Sequence, residues 1–138
     1  MPDLYRLSID LPAKPAEVYA FVADPATSPL VSRPSEVLDV ARDGSAVKSF
    51  QTKRGAVTYA TQAPPHFLSC EYQLKRRRER YDIRVETLGE SKTRLSIDVN
   101  IQPQSMRAKL QGQLPRLGVK SRLGDWVEQA QSRFATKK

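Results

Sequence analysis

Residues Ile9–Pro25 read I-D-L-P-A-K-P-A-E-V-Y-A-F-V-A-D-P, and the periodicity of the chain changes inside them. Up to Leu11 the apolar residues fall at every second position. Tyr5, Leu7, Ile9 and Leu11 alternate with Arg6, Ser8 and Asp10, the pattern of a half-buried strand. Beyond Pro15 the spacing becomes three to four, with Val18, Phe21 and Val22 forming one apolar stripe. Pro15 suits the first turn of a helix, where its missing N–H removes no hydrogen bond. Pro25 and Pro29 limit that helix and leave room for only a short second helical turn near Ala26–Val31.

From Ser35 to Gln102 the period is two, and turn signals recur about every ten residues. Strands are predicted over Glu36–Arg42, Ala46–Lys53, Ala56–Gln62, Phe67–Arg76, Arg80–Leu88 and Thr93–Gln102, joined at R-D-G-S, K-R-G, A-P-P, R-R-R-E and G-E-S-K. After Pro103 the period is helical again. Leu123, Trp126, Val127, Ala130 and Phe134 make one stripe, while Gly112, Pro115 and Gly118 predict a kinked or broken first half for this helix. Six strands with one apolar face need a cover, and the amphipathic C-terminal helix supplies it. The expectation is an α+β fold of order β-α-α-β6-α: a curved antiparallel sheet of about seven strands around a long helix. The 138 residues form one domain, 1–138, with 135–138 a frayed tail.

Composition narrows the function classes. Hydrophobic residues make up 39% and charged residues 28%, the balance of a soluble globular domain, and no apolar run is long enough to span a membrane. The opening M-P-D-L-Y-R has no signal-peptide stretch, and the one cysteine, Cys70, has no internal disulfide partner, so a cytoplasmic location is expected. The net charge of +8 is unevenly spread. It is concentrated in Lys75–Arg80 and in the segment after Gln104, and the rest of the chain is slightly acidic.

An up-and-down meander puts alternate turns at the same end of the sheet. One pole therefore gathers Lys53, Arg54, Lys75, Arg76, Arg77, Arg78 and Arg80, with Arg107 and Lys109 beyond them and only Glu79 in opposition. The other pole mixes Arg42 and Lys92 with Asp43 and Glu90. Three readings of the basic rim compete: a solvated hairpin tip, a rim that meets an anionic amphiphile or membrane surface, and a nucleic-acid contact. The last lacks the exposed aromatics that stacking platforms interleave with charge.

Catalytic chemistry is thinly represented. His66 falls in a turn at the neutral pole, and Cys70 sits between Leu68 and Tyr72 on an apolar strand face, the place of a core thiol. No cluster has metal-ligand spacing, and no metal or cofactor is expected. Asp82, Glu86 and Asp98 alternate out of the apolar face, where Arg84 and Arg94 can pair with them.

The order of elements over nearly the whole chain, with the strand and proline-bounded helix of Ile9–Pro25 ending at Asp-Pro, resembles the START-like or helix-grip superfamily. That group includes polyketide cyclases, birch pollen allergens and lipid carriers. The resemblance implies an elongated cavity between sheet and C-terminal helix, opening at the basic pole. It implies a lining of Tyr59, Tyr72, Leu74, Tyr81, Ile83, Ile97 and Val99, closed by Met106, Leu110 and Leu114, with simple core packing of the same residues as the alternative. A buried phenol needs a polar partner, which a ligand or trapped water can supply. The function expected is non-catalytic binding or transport of an apolar or amphiphilic small molecule, with Gln104–Gly118 as a gate. Nucleic-acid binding and a cyclase or dehydratase activity, using an inward tyrosine, are the alternatives.

Overall fold

The computed structural model describes residues 3–31, 34–44, 46–75, 77–103 and 114–134. The chain runs β1 (Asp3–Leu11), α1 (Pro15–Ala23), 3-10 turns at Pro25–Thr27 and Pro34–Glu36, then β2 (Leu38–Asp43), β3 (Ala46–Gln51) and β4 (Gly55–Ala63). It continues through β5 (Phe67–Leu74), β6 (Arg77–Gly89), β7 (Lys92–Pro103) and α2 (Leu114–Arg133). The strands form one antiparallel sheet in the order β1-β7-β6-β5-β4-β3-β2, so the first strand joins the meander beside the last.

The helix after β1 forms where the spacing places it. Pro15 occupies its first turn, the Lys14 backbone N–H donates to Glu17 Oε1 at 3.2 Å, and Val18, Tyr19, Phe21 and Val22 are buried. Asp24 then accepts from the Ala26 N–H at 3.0 Å and opens the 3-10 turn. The short second helical turn is thus a 3-10 turn, ending at Thr27. Val119, Leu123, Trp126 and Ala130 carry α2 onto the core, which is filled from the other side by Tyr72, Tyr81, Ile83, Leu95, Ile97 and Val99.

Three elements depart from the sequence reading. The first is β2, which starts two residues later than expected, is exposed along its length and has register shifts on both sides of Ala41, with Asp39 at φ 44. The second is β6, which starts three residues earlier, at Arg77, and its register shift between Thr87 and Gly89 leaves Thr87 exposed rather than inward. The third is α2, which runs unbroken from Leu114 because Pro115 sits in its first turn, where no N–H is missed. Expectations for 104–113, including Met106, Arg107, Lys109 and Leu110, fall outside the described residues, as do Arg76 and the 135–138 tail.

One glycine positions the site. Gly55 opens β4 opposite Leu74, and a Cβ there would lie 2.0 Å from the Gln73 carbonyl oxygen. Only glycine lets the β3–β4 turn lie this close to the end of β5.

Candidate functional site

The interior face of the sheet is mostly apolar, and its buried charge lies beneath the basic pole. There the alternation that turns Tyr81 and Ile83 inward continues back along β6 to Glu79 and Arg77. Glu79 is therefore fully buried rather than a surface counterion to the rim. Opposite it Arg122, one residue before Leu123 and four before Trp126, lies on the inward stripe of α2 and is only 9% exposed. The Glu79 carboxylate accepts from Tyr81 Oη at 2.6 Å, from Arg122 Nη2 at 3.2 Å and from Arg77 Nε at 2.7 Å. Arg122 Nη2 also donates to the Tyr81 hydroxyl. The Arg122 Nε is buried with no partner among the described residues.

A second polar pair adjoins this cluster, since Tyr72 lies opposite Glu79 in the β5–β6 register. Tyr72 Oη is 2.6 Å from Thr52 Oγ1, which also accepts from the backbone N–H groups of Arg54 and Gly55. The Arg54 guanidinium lies 5.9 Å from the centre of the Tyr72 ring.

The electrostatics follow from burial and partners. Burial alone would raise the Glu79 pKa, but Arg122 together with the Tyr81 and Arg77 hydrogen bonds outweighs it and holds the carboxyl below its ordinary range. Burial drives the Tyr81 phenol well above its ordinary range. At neutral pH the cluster therefore holds two guanidinium cations against one carboxylate, with a neutral phenol between them.

The predicted rim divides. Lys53, Arg54, Lys75 and Arg78 are exposed around the two turns, and Arg80 is exposed but paired with Asp82 at 3.2 Å. Arg77, in contrast, points inward to Glu79 and is half-buried. Among the predicted lining residues, Tyr72, Tyr81, Ile83, Ile97 and Val99 are fully buried and Leu74 nearly so, all in one contiguous core cluster. The tyrosine hydroxyls find partners within the chain, because Tyr59 Oη donates to the Ala23 carbonyl at 2.6 Å. Leu114 begins α2.

Among the described residues, two open cavities lie beside the core. One, of about 390 Å³, lies at the neutral pole beside Tyr59 and Tyr19, whose hydroxyl is buried without a partner among the described residues. The other, of about 770 Å³, runs between α1, the segment 27–31 and one flank of α2, and reaches Arg122. The sequence reading named neither Glu79 nor Arg122 as a site residue. Strand alternation signalled the first and helical spacing the second.

The remaining chemistry-bearing residues behave as core or surface. Burial pushes the Cys70 thiol up to about 12. His66 is exposed in its turn, with Nδ1 3.1 Å from the Val85 carbonyl oxygen. Asp98 pairs outward with Arg84 and Arg6, and Glu86 lies opposite Arg94. Among the described residues no group of three or more His, Cys, Asp or Glu could hold a metal ion, and no helix is long and apolar enough to cross a membrane.

No family model and no curated protein matches the chain. Solved structures do. A START superfamily protein from Mycobacterium smegmatis aligns over 94% of this chain and 97% of its own, with TM-score 0.65 at 12% identity. Truncated norcoclaurine synthase from Thalictrum flavum aligns over 99% and 96%, with TM-score 0.67 at 11% identity. An HSP90 activator from Plasmodium falciparum aligns over 94% and 91%, with TM-score 0.63 at 14% identity. Likeness at these identities is likeness of fold, and a synthase and a chaperone activator share it. The chain has the START-like, helix-grip fold.

Proposed function

We propose that this chain binds, without transforming it, an amphiphilic small molecule whose head is anionic. The observation that carries this reading is the charge of the buried cluster: Arg77 and Arg122 face the single carboxylate of Glu79. Taking a guanidinium out of water costs several kcal/mol unless a partner and hydrogen bonds offset it, and buried Arg122 shares its one carboxylate with half-buried Arg77. An anionic group at the cluster balances the charge. The exposed Lys53, Arg54, Lys75 and Arg78 around the adjoining turns raise the local concentration of anions and favour contact with an anionic membrane surface from which an amphiphile is taken. A nucleic-acid surface is a poorer match, because Tyr72 and Tyr81, the aromatics beside these cations, are buried and offer no face for stacking.

Equilibrium binding of palmitate and of hexadecanol, which share a chain length and differ in charge, tests the reading. Palmitate should bind at least about tenfold more tightly, a difference of about 1.4 kcal/mol. Equal affinities would remove the anionic head from the account, and failure of both to bind would remove the function.

A further inference from the structure

We infer that the charged head reaches Arg122 from the side, through the groove between α1, the segment 27–31 and α2, and that the ligand is a carboxylate whose apolar body lies in that groove. The site rests on the binding function proposed above and adds its place and chemistry.

Among the described residues the sheet–helix interior offers little room. Tyr72, Tyr81, Ile83, Ile97 and Val99 are each 0% exposed and packed in one cluster. The groove, by contrast, is open along one side and offers about 770 Å³, a volume in the range of small-molecule sites. Its apolar wall is Phe21, Val31 and Trp126, an arrangement fixed by two contacts. Trp126 Nε1 donates to the Thr27 carbonyl at 2.7 Å, and the Phe21 and Trp126 rings lie 5.7 Å apart. Such walls hold apolar bodies, and a few placed polar groups set their orientation.

Arg122 is that polar group. It is the residue common to the groove and the buried cluster, nine-tenths buried, and its Nε–H has no partner among the described residues. A buried donor left unpaired is costly, and a carboxylate in reach removes that cost while matching the surplus charge of Arg77 and Arg122 over Glu79. The outer wall also carries Asp125 and Glu128, with Arg133 against them. Asp125, Glu128 and Arg133 are exposed and screened by salt, whereas the interaction with buried Arg122 is screened far less. The gradient along the groove therefore draws the charged end inward and leaves the tail along Phe21 and Trp126.

Trp126 is the single tryptophan of the chain and lines the groove, so its fluorescence responds to occupancy there. Palmitate should shift its emission saturably. Gln129→Phe and Ser132→Phe, both at exposed groove positions that leave the core untouched, should fill the groove and weaken palmitate by about tenfold or more, the equivalent of 1.4 kcal/mol. Arg122→Lys should weaken palmitate similarly and hexadecanol little, with far-ultraviolet circular dichroism checking that it folds. Palmitate that binds with unchanged Trp126 emission and undiminished affinity in both groove variants overturns the groove site and leaves the binding function standing. Hexadecanol that shifts Trp126 as strongly as palmitate overturns the role of Arg122. Absence of binding by either probe to the parent protein overturns the function and the site together.

Discussion

The two faces of β6 carry the same chemistry at opposite settings. Outward, Arg80 pairs with Asp82 and Arg84 with Asp98, and neighbouring strands add Arg6 to Asp98 and Arg94 to Asp10. The Arg94 hydrogen bond even holds the Asp10 carboxyl below its ordinary range. These pairs stand in water, where four guanidiniums share three carboxylates and solvent screens the difference, and exposed pairs of this kind contribute little to stability. Inward, one residue away along the same strand, fully buried Glu79 meets buried Arg122 and half-buried Arg77, and the charges do not cancel. Exposed pairs leave their surplus charge to the solvent. An unbalanced buried trio is costly for a fold that could place leucine there, and that cost points to a use for the extra cation.

The largest effect should come from breaking the inner trio on one side. Glu79→Ala leaves two guanidinium groups without their carboxylate and should destabilise the protein by about 3–5 kcal/mol in urea unfolding. The double variant Glu79→Leu with Arg122→Met should recover most of that loss, because an apolar pair suits the site as well. A double variant as unstable as the single one would mean that the trio is held for stability alone.

Acid sharpens the same contrast. The folded pKa of Glu79 lies below its ordinary 4.5, so its contribution is present above the unfolded value and lost as pH falls through the folded one. Urea midpoints should fall below about pH 4.5 in the parent protein and fall less in the double variant that lacks Glu79. Parallel profiles would remove Glu79 from the pH dependence.

A smaller effect is expected next to the trio. Tyr72→Phe removes the hydrogen bond to Thr52, whose Oγ1 keeps the Arg54 and Gly55 N–H groups, and should cost about 1 kcal/mol. The smallest belongs to the outer face. Asp98→Asn breaks the contacts to Arg6 and Arg84 and should cost less than about 1 kcal/mol, diminishing with added salt. If Asp98 matched Glu79 in cost, the distinction between the two faces would collapse.

The fold was legible because it is written in local periods. The switch from two to three-and-a-half between Leu11 and Val18, and back beyond Ser35, set the elements and their order, and the alternation of β5, β6 and β7 placed Tyr72, Tyr81, Ile83, Ile97 and Val99 on the buried face. The site was less legible, for a physical reason. Glu79 sits in a run of arginines, and charge alone reads as surface there; only carrying the β6 alternation back past Arg80 turns it inward. Arg122 is one of many cations in the C-terminal quarter; the spacing of α2 turns it inward, but its partner lies on a strand 43 residues earlier. Such a pairing is tertiary, and no local period contains it. The phenols show the converse. Tyr59, Tyr72 and Tyr81 need partners when buried, as their chemistry dictates, but Ala23, Thr52 and Glu79 supply those partners.

The central claim is that the chain holds an anionic amphiphile, and native mass spectra of the freshly purified protein, beside a denatured control, test it most directly. The account predicts a discrete excess mass that disappears on denaturation and is recovered from the released material as an acid, and a protein–palmitate complex when palmitate is added. A neutral released molecule, or a protein that carries no excess mass and gains none from palmitate, would contradict it.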